Sequence, residues 1–225
     1  MLLSWALVST SSAAFKLLTD GTTVLVMGGT GHSLSSTEDT VSFVEGYLAG
    51  AIGNYVGPAS NLDTSIPEGP YNAVAVVTPE QFAPGTGTLT FFDQSVALGQ
   101  QNLDNCIKGT SCNYNTDVGS ITPPTAGDAF VVYGFSQSAT IATLEKRSLA
   151  AEYAYGDGPP AVTFVLIANG NRPNGGFLSR GTHRCHHSVV PAVRWRNVQR
   201  SDPRLTLNTP PSTSPLNTTA GLTFR

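Results

Sequence analysis

The stretch "DAFVVYGFSQSATIATLEKRSLAAEY" (128–153) decides the fold. Phe130 to Tyr133 is an apolar, β-branched and aromatic run of the length of a strand buried on both faces. Residues 138–153 are rich in small and long unbranched side chains and read as a helix. Between them stands Gly134-Phe135-Ser136-Gln137-Ser138. A Gly-x-Ser-x-small sequence at a strand-to-helix junction forms a nucleophile elbow, a tight turn that lifts the serine Oγ above the sheet edge. Gly134 and Ser138 flank the serine because bulkier side chains would collide with neighbouring backbone. Ser136 is therefore the candidate nucleophile. It also precedes a helix whose unpaired N–H groups favour a developing oxyanion, so the Gln137 N–H is the expected donor. The competing reading is a serine that merely N-caps the helix.

Outward from this junction, strand-like runs alternate with helical stretches. "TTVLVMGG" (22–29), "NAVAVVTPEQF" (72–82) and "AVTFVLIANG" (161–170) are compact apolar runs closed by Gly or Pro. "TEDTVSFVEGYLAGAI" (37–52) places Val41, Val44, Tyr47, Leu48 and Ala51 at helical spacing behind Thr37 as N-cap. "LTFFDQSVALGQQNLDNCI" (89–107) does the same with Val96, Gly99 and Leu103. Strands buried on both faces and separated by helices predict a parallel sheet in a three-layer α/β architecture.

The loop "MGGTGHS" (27–33) follows the first strand, the place from which a second oxyanion donor comes in elbow-bearing folds. Gly29 or Thr30 is the candidate. A dinucleotide reading of these glycines fails, because Leu34 stands where the third glycine of G-x-G-x-x-G belongs. His32 reads as a loop histidine lining the site in preference to a catalytic base.

Composition sets the class. Of 225 residues, 40% are hydrophobic and 12% charged, which describes a folded globular chain. A net charge of −3 provides no basic field for phosphate backbones, so nucleic acid is excluded as a partner. No apolar run reaches the ~18 residues of a membrane-spanning helix. The apolar lead-in "MLLSWALVSTSSA" (1–13) lacks the basic n-region of a signal peptide, and the chain shows no clear export signal. Cys106 and Cys112 bound a short loop, "CIKGTSC", across which a disulfide fits; such a bridge places a protein outside a reducing cytosol.

Residues 14–180, through "FKLLTDGTTVLVMGGTG", "VAVVTPEQFAPGTG", "LTFFDQSVALGQ", "VVYGFSQSATIA" and "FVLIANGNRPNGGFLSR", resemble the mycobacterial PE-PPE domain. That family is a cutinase-like serine-hydrolase module of the α/β-hydrolase fold. The resemblance implies chemistry on acyl-ester or lipid substrates, with Ser136 matching the nucleophile and Gln137 its oxyanion neighbour. It implies no cofactor and no metal, and a secreted or cell-envelope location. Family members often carry an N-terminal PE or PPE module, which is not found before residue 14.

The sheet is expected to be incomplete at the C-terminus, because composition changes near Arg180. Residues 1–180 hold 6 Lys/Arg against 14 Asp/Glu; 181–225 hold 6 Arg against the single Asp202. This tail is expected to be irregular, disordered or frame-shifted. Written in GC-rich codons and read two bases in, "PSTSPLNTTAGLTFR" (211–225) becomes Val-Asp-Ile-Ala-Ala-Gln-Tyr-Asp-Gly-Arg-Pro-Asp-Phe-Pro, which resembles the family's own continuation. His183, Cys185, His186 and His187 look metal-like but have no second ligand cluster. Asn217 heads a sequon of little weight in such a tail, and Asp157, between Gly156 and Gly158, reads as a loop-former. A triad acid and base are not apparent after Ser136. Two functions follow: a serine esterase, or a catalytically silent hydrolase-like remnant acting as an envelope-surface or interaction protein.

Overall fold

The structure, a computed structural model, describes residues 21–120, 122–153 and 158–180. The lead-in, Asp157, the histidine-rich segment and Asn217 lie outside the described residues.

Five strands form one sheet in the order β3-β2-β1-β4-β5: β1 Thr22–Val26, β2 Tyr71–Val76, β3 Tyr114–Gly119, β4 Phe130–Phe135 and β5 Val162–Ile167. The four strands legible in the sequence run parallel, with β1 between β2 and β4 and with β5 beside β4. A fifth strand, not read from the sequence, joins this parallel sheet. β3 pairs with β2 in the antiparallel sense and caps that edge. Its sequence, YNTDVG, is polar and only partly buried, as an edge strand's is, and so gives no apolar run to read.

Alternation along each strand feeds two cores. Leu25, Met27, Val74, Val76, Phe130, Val132, Phe164 and Leu166 face one side. There they meet Val96 and Leu103 of α3 (Phe92–Ile107) and Ile141 and Leu149 of α4 (Gln137–Glu152). Val24, Val26, Ala75, Val131, Tyr133 and Val165 face the other side, against Val44, Leu48 and Ala51 of α1 (Val41–Ala51). α1 runs through a π-helical turn, Ile52–Val56, into α2, Gly57–Leu62; a last short helix, α5, spans Phe177–Arg180. This is the three-layer arrangement, with helices on both faces of the sheet.

The N-cap of α1 is Thr40, not Thr37: Thr40 Oγ1 accepts the Phe43 N–H at 3.3 Å. Residues 35–39 are first used in a turn of their own, in which the Glu38 and Asp39 amides both donate to Ser35 O. The expected Cys106–Cys112 disulfide is present and ties the end of α3 to the segment entering β3.

The path from β1 leads through α1 to β2 on one side, while the path from β4 leads through α4 to β5 on the other. Between β1 and β4 the connections diverge, and at such a switch point a crevice opens outside the carboxyl ends of the strands. The β1–α1 loop and the β4–α4 junction flank it.

Candidate active site

Ser136 is the single residue between β4, which ends at Phe135, and α4, which starts at Gln137. Its backbone has φ 59° and ψ −109°, a left-handed conformation that costs a non-glycine residue on the order of 1–3 kcal/mol. Its side chain makes no capping hydrogen bond. An N-cap serine has extended backbone and a hydroxyl bonded to the second or third helical amide; Ser136 has neither, so the capping reading fails. The Ser136 N–H donates to Ile167 O at 3.0 Å, anchoring the turn to the end of β5. The residue is half-buried.

The flanking small residues are required by packing. A Cβ at Gly134 would lie 2.8 Å from Ser138 O and 3.0 Å from Ala139 Cα, closer than backbone tolerates. Ser138 is fully buried and does more than stay small: its Oγ accepts the Phe135 N–H at 2.8 Å. Its own proton is directed towards Phe135 O at 3.0 Å, with Met27 O at 3.5 Å as the alternative. The hydroxyl satisfies an amide that the sharp turn strips of a ladder partner.

The loop after β1 is brought against this turn. A Cβ on Gly29 would meet Phe135 Cδ1 at 2.8 Å, so glycine allows the loop to approach the elbow. Thr30 Oγ1 accepts from Gln137 Nε2 at 3.3 Å. The Gln137 side chain is buried; its Nε2 also donates to Gln81 O at 3.1 Å, and its Oε1 accepts from Ser95 Oγ at 2.6 Å. The Ser95 Oγ in turn accepts the Gln81 N–H at 2.9 Å. Gln137 thus joins its own helix α4, the β1–α1 loop, the β2–α3 loop and α3. Sequence reasoning assigned it an amide only. Its side-chain role was invisible because its partners stand 107, 56 and 42 residues away.

All six residues singled out for the site, Ser136, Gln137, Gly29, Thr30, Gly134 and Ser138, therefore converge at the switch point. His32 does not join them by a hydrogen bond. Its Nδ1 pairs with the buried Asp39 carboxylate at 2.8 Å, and its ring stacks on Phe43 with centroids 4.4 Å apart. Asp39 also accepts the Leu34 N–H at 2.8 Å, so the pair braces the bend at Leu34, where φ is 60°.

One further residue was missed altogether. Glu80 is fully buried, its Oε1 accepting from Thr78 Oγ1 at 2.8 Å, and its carbonyl accepts the Gly31 N–H at 2.8 Å. A glutamate after proline reads as an exposed loop residue, and only its burial in the folded chain shows otherwise. Burial pushes its carboxyl up to about 8.

The surroundings carry both polar and apolar surface. A groove of about 790 Å³ runs beside β2 and β3, lined by Ser33, Thr78, Asn102, Asn113, Asn115 and Asp117 among others, and Ser136 is not part of its wall. Next to Ser136, Phe135 is exposed, as are Phe82, Leu89 and Phe91 on the β2–α3 loop, which Gln137 holds at Gln81 O. No group of three or more metal-ligating side chains occurs among the described residues. Among them, too, no helix is long and apolar enough to cross a membrane.

Comparison with known proteins places this geometry. The PE-PPE domain model matches residues 69–206, running past Arg180 into the segment set apart by composition. The chain is 35% identical over 179 residues to "Esterase PE16" of Mycobacterium tuberculosis, covering 78% of this chain and 28% of that protein. It is 38% identical over 159 residues to "PE family protein PE3" of the same organism, covering 70% of this chain and 28% of the relative. It is also 38% identical over 163 residues to the "Uncharacterized PPE family protein PPE42", covering 71% and 23%. The chain thus spans less than a third of the length of these relatives. No solved structure matches it. A family model that covers most of the chain and these mycobacterial relatives together show that the chain belongs to the PE-PPE domain family.

Proposed function

We propose that this chain is a serine hydrolase of the esterase or lipase type, in which Ser136 attacks the carbonyl of an acyl ester. An acyl-enzyme forms as the alcohol leaves, and water releases the acid. The tetrahedral oxyanion is received by the Gln137 N–H at the start of α4 and by an amide of the Gly29–Thr30 segment. The observation that carries the reading is the Ser136 backbone at φ 59°, with its hydroxyl left out of capping, on a turn whose Phe135 packs against a loop tied to the following helix by Gln137 and Thr30. A merely structural serine has no use for that strain.

The exposed Phe135 beside Ser136, with exposed Phe82, Leu89 and Phe91 on the β2–α3 loop, suits an acyl chain, which supports an ester with an apolar acid part. A relative named as an esterase supports the same class. The disulfide supports a location outside the reducing cytosol, in keeping with secretion or the cell envelope. The reading assigns no acid or base.

The test compares the purified chain with Ser136→Ala on a short-chain p-nitrophenyl ester, with a fluorophosphonate probe reporting on Ser136 directly. Turnover and labelling that vanish in the variant support the esterase. Labelling without turnover, or neither, supports a silent remnant of the fold: losing a triad's base costs on the order of 10⁶ in turnover even when the nucleophile is intact.

A further inference from the structure

Glu80 carries two costs to the fold at once. It sits in the β2–α3 loop with φ 49°, a left-handed conformation that penalises a non-glycine residue. Its side chain is wholly buried, and after Thr78 Oγ1 takes Oε1, Oε2 is left buried without a partner. No described Lys, Arg or His pairs with it. The titratable group that faces it is the Tyr47 hydroxyl from α1, which donates to Met27 O at 3.3 Å. Behind Tyr47 lie Tyr133 of β4 and, on the π-helical turn, Tyr55. A carboxylate with one neutral hydroxyl for company and a phenol beside it is unstable there; the neutral acid is the form this site holds. Leucine or glutamine would fill the same space at lower cost, so packing does not explain the residue.

Its connections do. The Glu80 carbonyl holds the Gly31 N–H, on the loop that carries Gly29 and Thr30. The next residue, Gln81, is clamped on both sides, its N–H by Ser95 Oγ and its carbonyl by Gln137 Nε2. The Glu80–Gln81 pair is therefore a strut between the candidate oxyanion loop and the helix of the nucleophile. The strut's backbone is set by where the Glu80 side chain can lie.

We propose that Glu80 is a positioning residue of the candidate oxyanion hole, and that ionisation of its buried carboxyl releases the Gly28–Gly31 loop from the elbow. A charge at Oε2 demands water, and water reaches it only when the covering loops part; the Gly31–Glu80 hydrogen bond is the contact this breaks. With the carboxyl pushed up to about 8 by burial, release begins just above neutral pH. The inference rests on the reading of Ser136 as nucleophile for its consequence in activity, but not for the loop coupling itself.

The experiment uses the full chain. Fluorophosphonate labelling of Ser136 is followed from about pH 6 to 9.5 in wild type and Glu80→Gln, with Ser136→Ala as blank, and the Gly31 backbone amide is titrated by NMR in wild type and Glu80→Gln. The ratio of wild-type to Glu80→Gln labelling rates cancels every other titration. Expected is a ratio that falls about tenfold per pH unit above about 8 and a Gly31 amide with a matching midpoint, absent in the variant. A ratio flat across the range, or a wild-type Gly31 amide that does not titrate, overturns the proposal. Absence of labelling in wild type would sink the reading of Ser136 instead, and the Gly31 titration would then decide for or against Glu80, without depending on whether the variant folds.

Discussion

Gln137 Nε2 donates to Thr30 Oγ1 at 3.3 Å, so the residue that follows the candidate nucleophile also holds the loop packed against the elbow. One side chain sets the spacing between the two halves of the candidate oxyanion hole. Gln137→Ala leaves the backbone N–H in place but removes the acceptor of the buried Ser95 hydroxyl and the donor to Gln81 O. Stability should drop by about 1–3 kcal/mol, the usual cost of leaving a buried hydrogen-bonding group unmatched. Fluorophosphonate labelling should slow at least tenfold as the loop loosens. Labelling at the wild-type rate would show that Gln137 acts through its amide alone.

Ser136→Ala and Gly134→Ala should separate chemistry from folding. The first removes a hydroxyl that makes no capping bond and should change stability by less than about 0.5 kcal/mol. The second drives a Cβ to within 2.8 Å of Ser138 O and should cost about 1–3 kcal/mol. Ser136→Gly should raise stability, since glycine adopts φ 59° without strain. Thermal unfolding of the three variants checks the order.

Stability should fall as pH rises from about 4.5 to about 8. Burial raises both Glu80, to about 8, and Glu145, to about 7; Glu145 also feels the neighbouring Asp104 carboxylate. An acid whose folded pKa lies above its unfolded value binds more protons when folded, so each unit of pH in that window favours the unfolded chain. Above pH 8 the sign reverses, because burial lowers Lys146 to about 8 and its deprotonation favours the fold. Denaturant midpoints at pH 5, 7 and 8 should decline in wild type and flatten in the double variant Glu80→Gln/Glu145→Gln. A wild-type midpoint constant across the window would refute the assignment.

Replacing Cys106 and Cys112 together by serine should cost about 2 kcal/mol, the cross-link closing a short loop in the unfolded chain. The loss should concentrate where α3 hands over to β3, and hydrogen exchange of the Asn113–Asn102 contact, 2.8 Å long, is the local reporter. Uniform loss of protection across β4 and α4 would show instead that the bridge supports the whole sheet.

How far the sequence reaches can be judged residue by residue. β1 and β4 are legible because strands covered on both faces are apolar throughout. Ser136 is legible because the turn tolerates few residues at 134 and 138. β3 is not, since an edge strand spends its alternation on Asn, Thr and Asp. Thr40 was passed over for Thr37 because both are good caps, and only the turn at Ser35–Asp39 tells them apart. The Gln137 network and the Glu80–Gly31 contact escape for one reason: their partners are brought together by the sheet order, which periodicity does not encode.

Because the hydroxyl at position 136 takes no part in holding its own bend, the scaffold does not depend on that hydroxyl. Selection can strip or replace the reacting group by one substitution while every strand and helix persists. The lineage is thereby free to drift between catalyst and inert shell without passing through an unfolded ancestor.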